Sequence, residues 1–259
     1  FVNHLPYFPG RNRMARFLAQ IVLPRDVCVL THIHNDKMLL DMRNQHEISM
    51  YFDTFDKKFS NLLSEVLRPG DVFIDCGANV GYFTFLAASL VKSNGCVLSF
   101  EPNPFCYSRI EASIDIGGYD NIHLVKGAVS NANSEMPFNI SEDPMCSSFS
   151  DVDQLSFARL EKTISVPVFT IDSAIETHYN DNTRFRLIKI DVEGAELEAL
   201  QGMSETLARK AYDYIYVELH PQQLALRNID IKEVTAMLEK YGYHDQNWGH
   251  PRRVLYSSE

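Results

Sequence analysis

From residue 71 onward, short apolar runs alternate with segments of helical spacing. Val72-Phe73-Ile74 is continuous in apolar character and ends on Asp75, which predicts a strand covered on both faces. A small-residue turn follows, Gly77-Ala78-Asn79-Val80-Gly81, and then Tyr82 to Val91 runs on without glycine or proline, as a helix. Val97 to Phe100 repeats the strand and ends on Glu101, and Asn103 to Ile116 reads as its helix, with Pro104 near the start. Ile122 to Val125 is a third strand, followed by Gly127-Ala128-Val129. Phe185 to Ile190 is a strand ending on Asp191, and Gly194 to Gln201 is a helix closed by Gly202. Tyr214 to Leu219 carries Glu218 and leads into His220-Pro221. Ile231 to Lys240 is a helix closed by Gly242, and Arg253 to Tyr256 supplies a last, antiparallel strand. The alternation predicts an α/β fold with a mostly parallel sheet and helices on both faces.

Two stretches break this rhythm. Asn131 to Glu161 is polar and irregular, with two short strand-like pieces at most, before Ile164 to Phe169 alternates. Its length suits a lid or substrate loop as well as a surface excursion. Residues 1–70 read as an N-terminal extension on a core of residues 71–259. The extension holds an aromatic, proline-rich arm (Phe1 to Pro9), a helix (Arg11 to Val22) and a hairpin of Asp26–Ile33 and Lys37–Met42 around His34-Asn35-Asp36. A mixed segment (His46 to Asp53) and a helix (Asp56 to Leu67) follow, before Pro69-Gly70. Both breaks are long enough to fold over the sheet's rim and cover the acceptor side of a site.

Four strands end on an acid or an imidazole: Asp75, Glu101, Asp191, and Glu218 with His220. In open α/β sheets ligands bind outside the carboxyl ends of strands, so these groups share one rim. Gly77 is free to take backbone angles that side chains resist, and Gly81 lets helix and strand approach closely. Bare backbone amides then face a ligand at a helix N-terminus. The pattern is Asp-x-Gly-x-Asn-x-Gly, not the Gly-x-Gly-x-x-Gly of dinucleotide enzymes. Glu101, 26 residues after Asp75, stands where a carboxylate accepts two ribose hydroxyls and repels a 2′-phosphate. A ligand with a free ribose and no phosphate, such as S-adenosylmethionine, suits this rim.

Composition narrows the partners. With 259 residues and 45% hydrophobic content the chain can build one sizeable core. A net charge of −10 disfavours a nucleic-acid substrate. No apolar run reaches the roughly 18 residues of a membrane span. The five cysteines are scattered, which fits reduced thiols and a cytoplasmic location. Oligomeric state is open.

Three blocks carry a resemblance: Asp75-Cys76-Gly77-Ala78-Asn79-Val80-Gly81-Tyr82-Phe83, then Phe100-Glu101-Pro102-Asn103, then Lys189-Ile190-Asp191-Val192-Glu193-Gly194-Ala195-Glu196. Together they resemble the FkbM family of methyltransferases. The resemblance implies a class I methyltransferase (Rossmann-like) fold and S-adenosylmethionine as methyl donor. By motif, Asp75, Gly77, Asn79 and Gly81 would line the methionine end, with Ala78, Pro102 and Asn103 in the same cofactor-binding blocks. Glu101 would hold the ribose, Ala128 would lie near the adenine, and Asp191 would stand close to the methyl. The implied activity is O-methylation of a small molecule, sugar or natural product.

An alcohol acceptor must lose its proton as it attacks. Asp191 and Glu193 are the expected acceptor-side carboxylates. His220 is the expected base, as a neutral imidazole near its usual pKa of about 6.5, with Glu218 orienting its ring. Lys189 is either functional or a strand lysine paired to an acid. Glu196 and Glu198 are expected on a solvated helix face. Asp191, Glu193, Glu218 and His220 could instead gather a divalent metal, which the absence of a dedicated metal motif does not favour. Two other function classes stay open: an S-adenosylmethionine-binding module without catalysis, and a nicotinamide-dependent oxidoreductase.

Overall fold

The computed structural model describes residues 28–33, 36–141, 147–149, 159–180 and 182–258. The arm at Phe1–Pro9, the helix expected at Arg11–Val22 and the hairpin tip at His34-Asn35 lie outside the described residues. So do 142–146 and 150–158 of the polar excursion. β1 (Cys28–Ile33) and β2 (Asp36–Asp41) pair antiparallel as the expected hairpin. The stretch His46–Asp53, mixed in its pattern, belongs to a short helix, Gln45–Tyr51. Asn44 explains it, because its side chain accepts from the amides of His46 and Glu47, while Ile48 and Met50 turn inward. The next helix, Lys57–Val66, is capped by Asp56 and buries Phe59, Leu62 and Leu63.

The main sheet has seven strands in the order β11-β12-β10-β9-β3-β4-β5. β3 (Val72–Cys76), β4 (Cys96–Phe100), β5 (Ile122–Val125), β9 (Phe185–Ile190) and β10 (Tyr212–Glu218) are parallel. β12 (Arg253–Ser257) joins β10 antiparallel, as expected, and β11 (His244–Asp245) joins β12. This is the mostly parallel, Rossmann-like sheet anticipated above. The chain leaves central β3 toward β4 and β5, then returns to β9 on the other side of β3. That reversal opens a crevice at the carboxyl ends of β3 and β9.

The strand period of two builds both cores. Phe73, Val97, Leu187 and Tyr216 face the helices Lys57–Val66, Tyr82–Val91 and Pro104–Gly117. Their neighbours Ile74, Leu98, Ile188 and Ile215 face the opposite way, toward Ile171–Glu176, Glu196–Gln201, Ser204–Ala208 and Ile231–Lys240. Residues of the N-terminal region, among them Met38, Leu40, Ile48 and Phe59, share the first of these cores. Among the described residues, no helix is long and apolar enough to cross a membrane.

The strands of the polar excursion are Ser134–Ser141 and the first two residues of Leu160–Phe169, within the two pieces expected. β6 (Ala128–Val129), β7 (Ser134–Ser141) and β8 (Leu160–Phe169) form a second sheet in the order β6-β8-β7. Its core is small: Ala128, Phe138, Ile140, Val166 and Val168. One apolar face of a two-faced ribbon suffices to hold it, and the polar alternate positions face outward.

Candidate active site

The turn after β3 is shaped by its closest contact. Gly77 has φ +82°, and a Cβ there would stand 1.9 Å from the carbonyl oxygen of Asp191. The turn therefore lies directly against the end of β9. The amides of Gly77 and Ala78 donate to the carbonyl of Phe100 at the end of β4. Asn79, at φ +53°, donates its amide to Glu101 Oε2 at 2.7 Å. Gly81, at φ +90°, opens the helix Tyr82–Val91, packed where a Cβ would meet Phe85.

Glu101 is buried, and its second oxygen accepts from the amide of Asn103 at 2.8 Å. Burial pushes its pKa up to about 7, with the amides of Asn103 and Asn79 pulling the other way. Asn103 caps the helix Pro104–Gly117 and donates to Ser147 Oγ at 3.3 Å. Gly77, Asn79, Glu101, Pro102, Ala128, Asp191 and Glu193 surround one cavity at the crevice. Phe138, Ser147 and Phe149 of the excursion close it. The sequence pattern gives no sign of these three, because their place depends on how β7 folds back.

Asp75, expected to line the methionine end, lies beneath the turn with no exposed surface. It accepts from Thr84 Oγ1 at 2.7 Å and faces Lys189 Nζ at 3.3 Å. Lys189 resolves to its paired alternative. It is buried, and it also contacts Asp191 Oδ2 at 3.2 Å and donates to the carbonyl of Gly77 at 3.0 Å. Burial opposes the charge on Asp191, but Lys189 and then His220 outweigh it and hold the carboxyl below its ordinary pKa.

His220 Nε2 faces Glu193 Oε1 at 3.3 Å and Asp191 Oδ1 at 3.6 Å. The expected orienting partner is corrected: Glu218 pairs with Arg253 of β12 at 3.0 Å, and Arg253 reaches on to Asp56 at 3.0 Å. The group on His220 Nδ1 is Glu196 Oε1, at 2.6 Å. Glu196, expected on a solvated face, has no exposed surface. The loop Glu193–Gly194, at φ +50° and +98°, turns the start of its helix back under His220. Sequence reasoning missed Glu196 although it closes the Asp191–Glu196 block. Gln223 donates to Glu193 Oε2 at 2.7 Å. The ordinary pKa expected for His220 is also corrected. Burial would lower its pKa, but contacts with Glu193 and Glu196 prevail and hold it well above the ordinary value.

A buried carboxylate beside a glycine turn, and an acidic rim across the switch point, match the order of the three sequence blocks. A profile of the methyltransferase FkbM domain matches residues 75–244. The chain belongs to the FkbM methyltransferase family. It is similar to the hexuronic acid methyltransferase AglP of Haloferax volcanii, 28% identical over 179 residues, covering 69% of this chain and 66% of that protein. It is also similar to the 2-O-methyltransferase NoeI of Sinorhizobium fredii, 24% identical over 196 residues, covering 71% of this chain and 78% of that protein. Among solved structures, a methyltransferase FkbM from Methylobacillus flagellatus aligns with 16% identity and a TM-score of 0.48, over 95% of this chain and 59% of that one. The family match begins on Asp75 and ends on His244, so it takes in the turn, the Glu101 block and the Asp191–His220 rim.

Proposed function

We propose that this chain transfers a methyl group from S-adenosylmethionine to a hydroxyl oxygen of a sugar or related small molecule. The observation that carries the reading is the charge of the crevice. Glu101, Asp191 and Glu193 line it, and among the described lining residues none is a lysine or arginine. Such a wall suits a free ribose and a positive sulfur, and it disfavours the pyrophosphate of a nicotinamide cofactor. The sugar acceptor is supported by the two relatives, whose names are a hexuronic acid methyltransferase and a 2-O-methyltransferase.

The residues fit this cofactor. Each Glu101 oxygen takes one backbone amide and keeps a further lone pair for a ribose hydroxyl. Gly77 and Asn79 offer backbone along the cavity, and Pro102 and Ala128 give it apolar walls. The space between them is about 80 Å³, below the roughly 300 Å³ at which small-molecule sites begin. Entry therefore goes with an outward shift of Phe138, Ser147 and Phe149. S-adenosylmethionine supplies a methyl already activated by its positive sulfur, so orientation carries much of the rate. Asp191 and Glu193 meet the acceptor, and Lys189 and Gln223 hold their carboxylates from behind. His220, its Nδ1 resting on Glu196, supports this rim.

Calorimetry with S-adenosylmethionine and with NAD tests the cofactor. Binding of the first and not the second is expected, and Glu101→Ala should weaken it about 30-fold, the equivalent of ~2 kcal/mol for a lost charged acceptor. Labelled methyl transfer to a panel of uronic acid and neutral sugar oligomers tests the acceptor. Binding without transfer to any hydroxyl would leave a binding module, and NAD binding would overturn the reading.

A further inference from the structure

We propose that Asp191, Glu193 and His220 form a divalent-cation site that holds and acidifies the acceptor hydroxyl; this rests on the methyl-transfer reading above. One ligand atom from each residue lies within 4.8 Å of the other two. What singles the trio out is how the opposite atoms are held, each by a residue outside it. Lys189 holds Asp191 Oδ2 at 3.2 Å, Gln223 holds Glu193 Oε2 at 2.7 Å, and Glu196 holds His220 Nδ1 at 2.6 Å. The remaining three atoms, Oδ1, Oε1 and Nε2, are left to face a common centre.

The separations suit a shared ion better than direct bonds. Nε2 stands 3.3 Å from Glu193 and 3.6 Å from Asp191, beyond the ~2.7–2.9 Å of a charge-assisted N–H···O bond. Two ligands each about 2.1 Å from one ion at a tetrahedral angle lie roughly 3.4 Å apart. A histidine whose far nitrogen rests on a buried carboxylate is also the usual support for a metal-bound imidazole. Asp191 and Glu193 line the crevice, so coordination positions remain open toward an incoming oxygen. One imidazole and two carboxylates suit Mn²⁺ or Zn²⁺ better than the all-oxygen preference of Mg²⁺.

The balance is simple. The acceptor hydroxyl binds the ion and releases its proton to solvent at lowered pKa. The oxygen's electron pair forms the new C–O bond with the methyl carbon. The C–S bond breaks, its pair returns to sulfur, and the sulfonium becomes a neutral thioether.

The test uses the full chain, stripped with a chelator and titrated with Mn²⁺ while the signal of free Mn²⁺ is followed by electron paramagnetic resonance. One saturable Mn²⁺ per chain is expected. His220→Ala and Glu193→Gln should each weaken uptake more than tenfold, and Gln223→Ala, which touches only an outer oxygen, by about tenfold. Circular dichroism checks that each variant is folded, and a misfolded one is replaced by Asp191→Asn. Wild-type chain that takes up no Mn²⁺ at millimolar concentration, or uptake untouched by these substitutions, overturns the site. Calorimetry of S-adenosylmethionine on the stripped protein separates the two readings. Cofactor binding with full turnover in chelator sinks the metal and leaves methyl transfer standing. Loss of cofactor binding sinks the methyl-transfer reading, while the Mn²⁺ titration still reports on the trio.

Discussion

Glu101 is held in a place that costs its charge. With two amides and the charge of Lys189 set against the loss of solvent, the carboxyl keeps its proton up to a pH of about 7. In the unfolded chain it ionises near its ordinary 4.5. Between those values the folded state binds a proton that the unfolded state has lost, so stability falls as pH rises through that window. Glu101→Gln should remove that slope. Thermal scans of the cofactor-free variant across pH check this, and the variant should bind S-adenosylmethionine more weakly. Ribose hydroxyls would favour the ionised form, so cofactor binding near pH 6.5 should release a proton. Calorimetry in buffers of different ionisation heat measures it, and zero release would remove Glu101 from the ribose. At this scale the sequence told much: an acid at a strand's end has its direction set by the strand. Glu196 was illegible for the complementary reason. Helix periodicity says which residues share a face, yet a left-handed step at Glu193 and Gly194 turned that face inward onto His220.

Among elements, the β7–β8 ribbon matters most for access to the crevice. Phe138, Ser147 and Phe149 stand over the cavity at the crevice, and Asn103 ties Ser147 to the start of the helix after β4. Phe149→Ala should widen the cavity and speed release of the demethylated cofactor several-fold, which stopped-flow displacement would show. An unchanged release rate would mean that the ribbon does not set it. Gly77→Ala should abolish cofactor binding, because the added carbon would overlap the carbonyl of Asp191. The parallel strands were legible because burial on both faces demands continuous apolar runs. The ribbon was less so: Phe138 and Ile140 are its inward positions on β7, but Pro137 in the same run speaks against a strand.

Across the whole molecule, residues 38–67 of the N-terminal region are built into the core. Arg109, in the helix after β4, pairs with Glu47 from the helix Gln45–Tyr51, and both are buried. Glu47→Gln removes the carboxylate charge facing that guanidinium, which still donates to the carbonyl of Leu39, and should cost about 3–5 kcal/mol. Denaturant titration should show the loss in a single transition, with residues 36–67 unfolding together with the sheet, while cofactor affinity holds in the folded fraction. Two transitions would mean that the extension and the core are separate units. Lys189 makes a different kind of tie. Its one ammonium group, on β9, binds Asp75 of β3 and the carbonyl of Gly77 just after it, and Asp191 just past its own strand, joining segments more than a hundred residues apart in sequence. Recombination between related genes would have to carry both sides of that junction from the same parent. Chimeras that inherit the donor half and the acceptor half from different ancestors would meet at a charge and a spacing set for neither. If the rim beyond Glu193 meets the acceptor, as proposed, new acceptors should arise by change there, with the junction itself passed on whole.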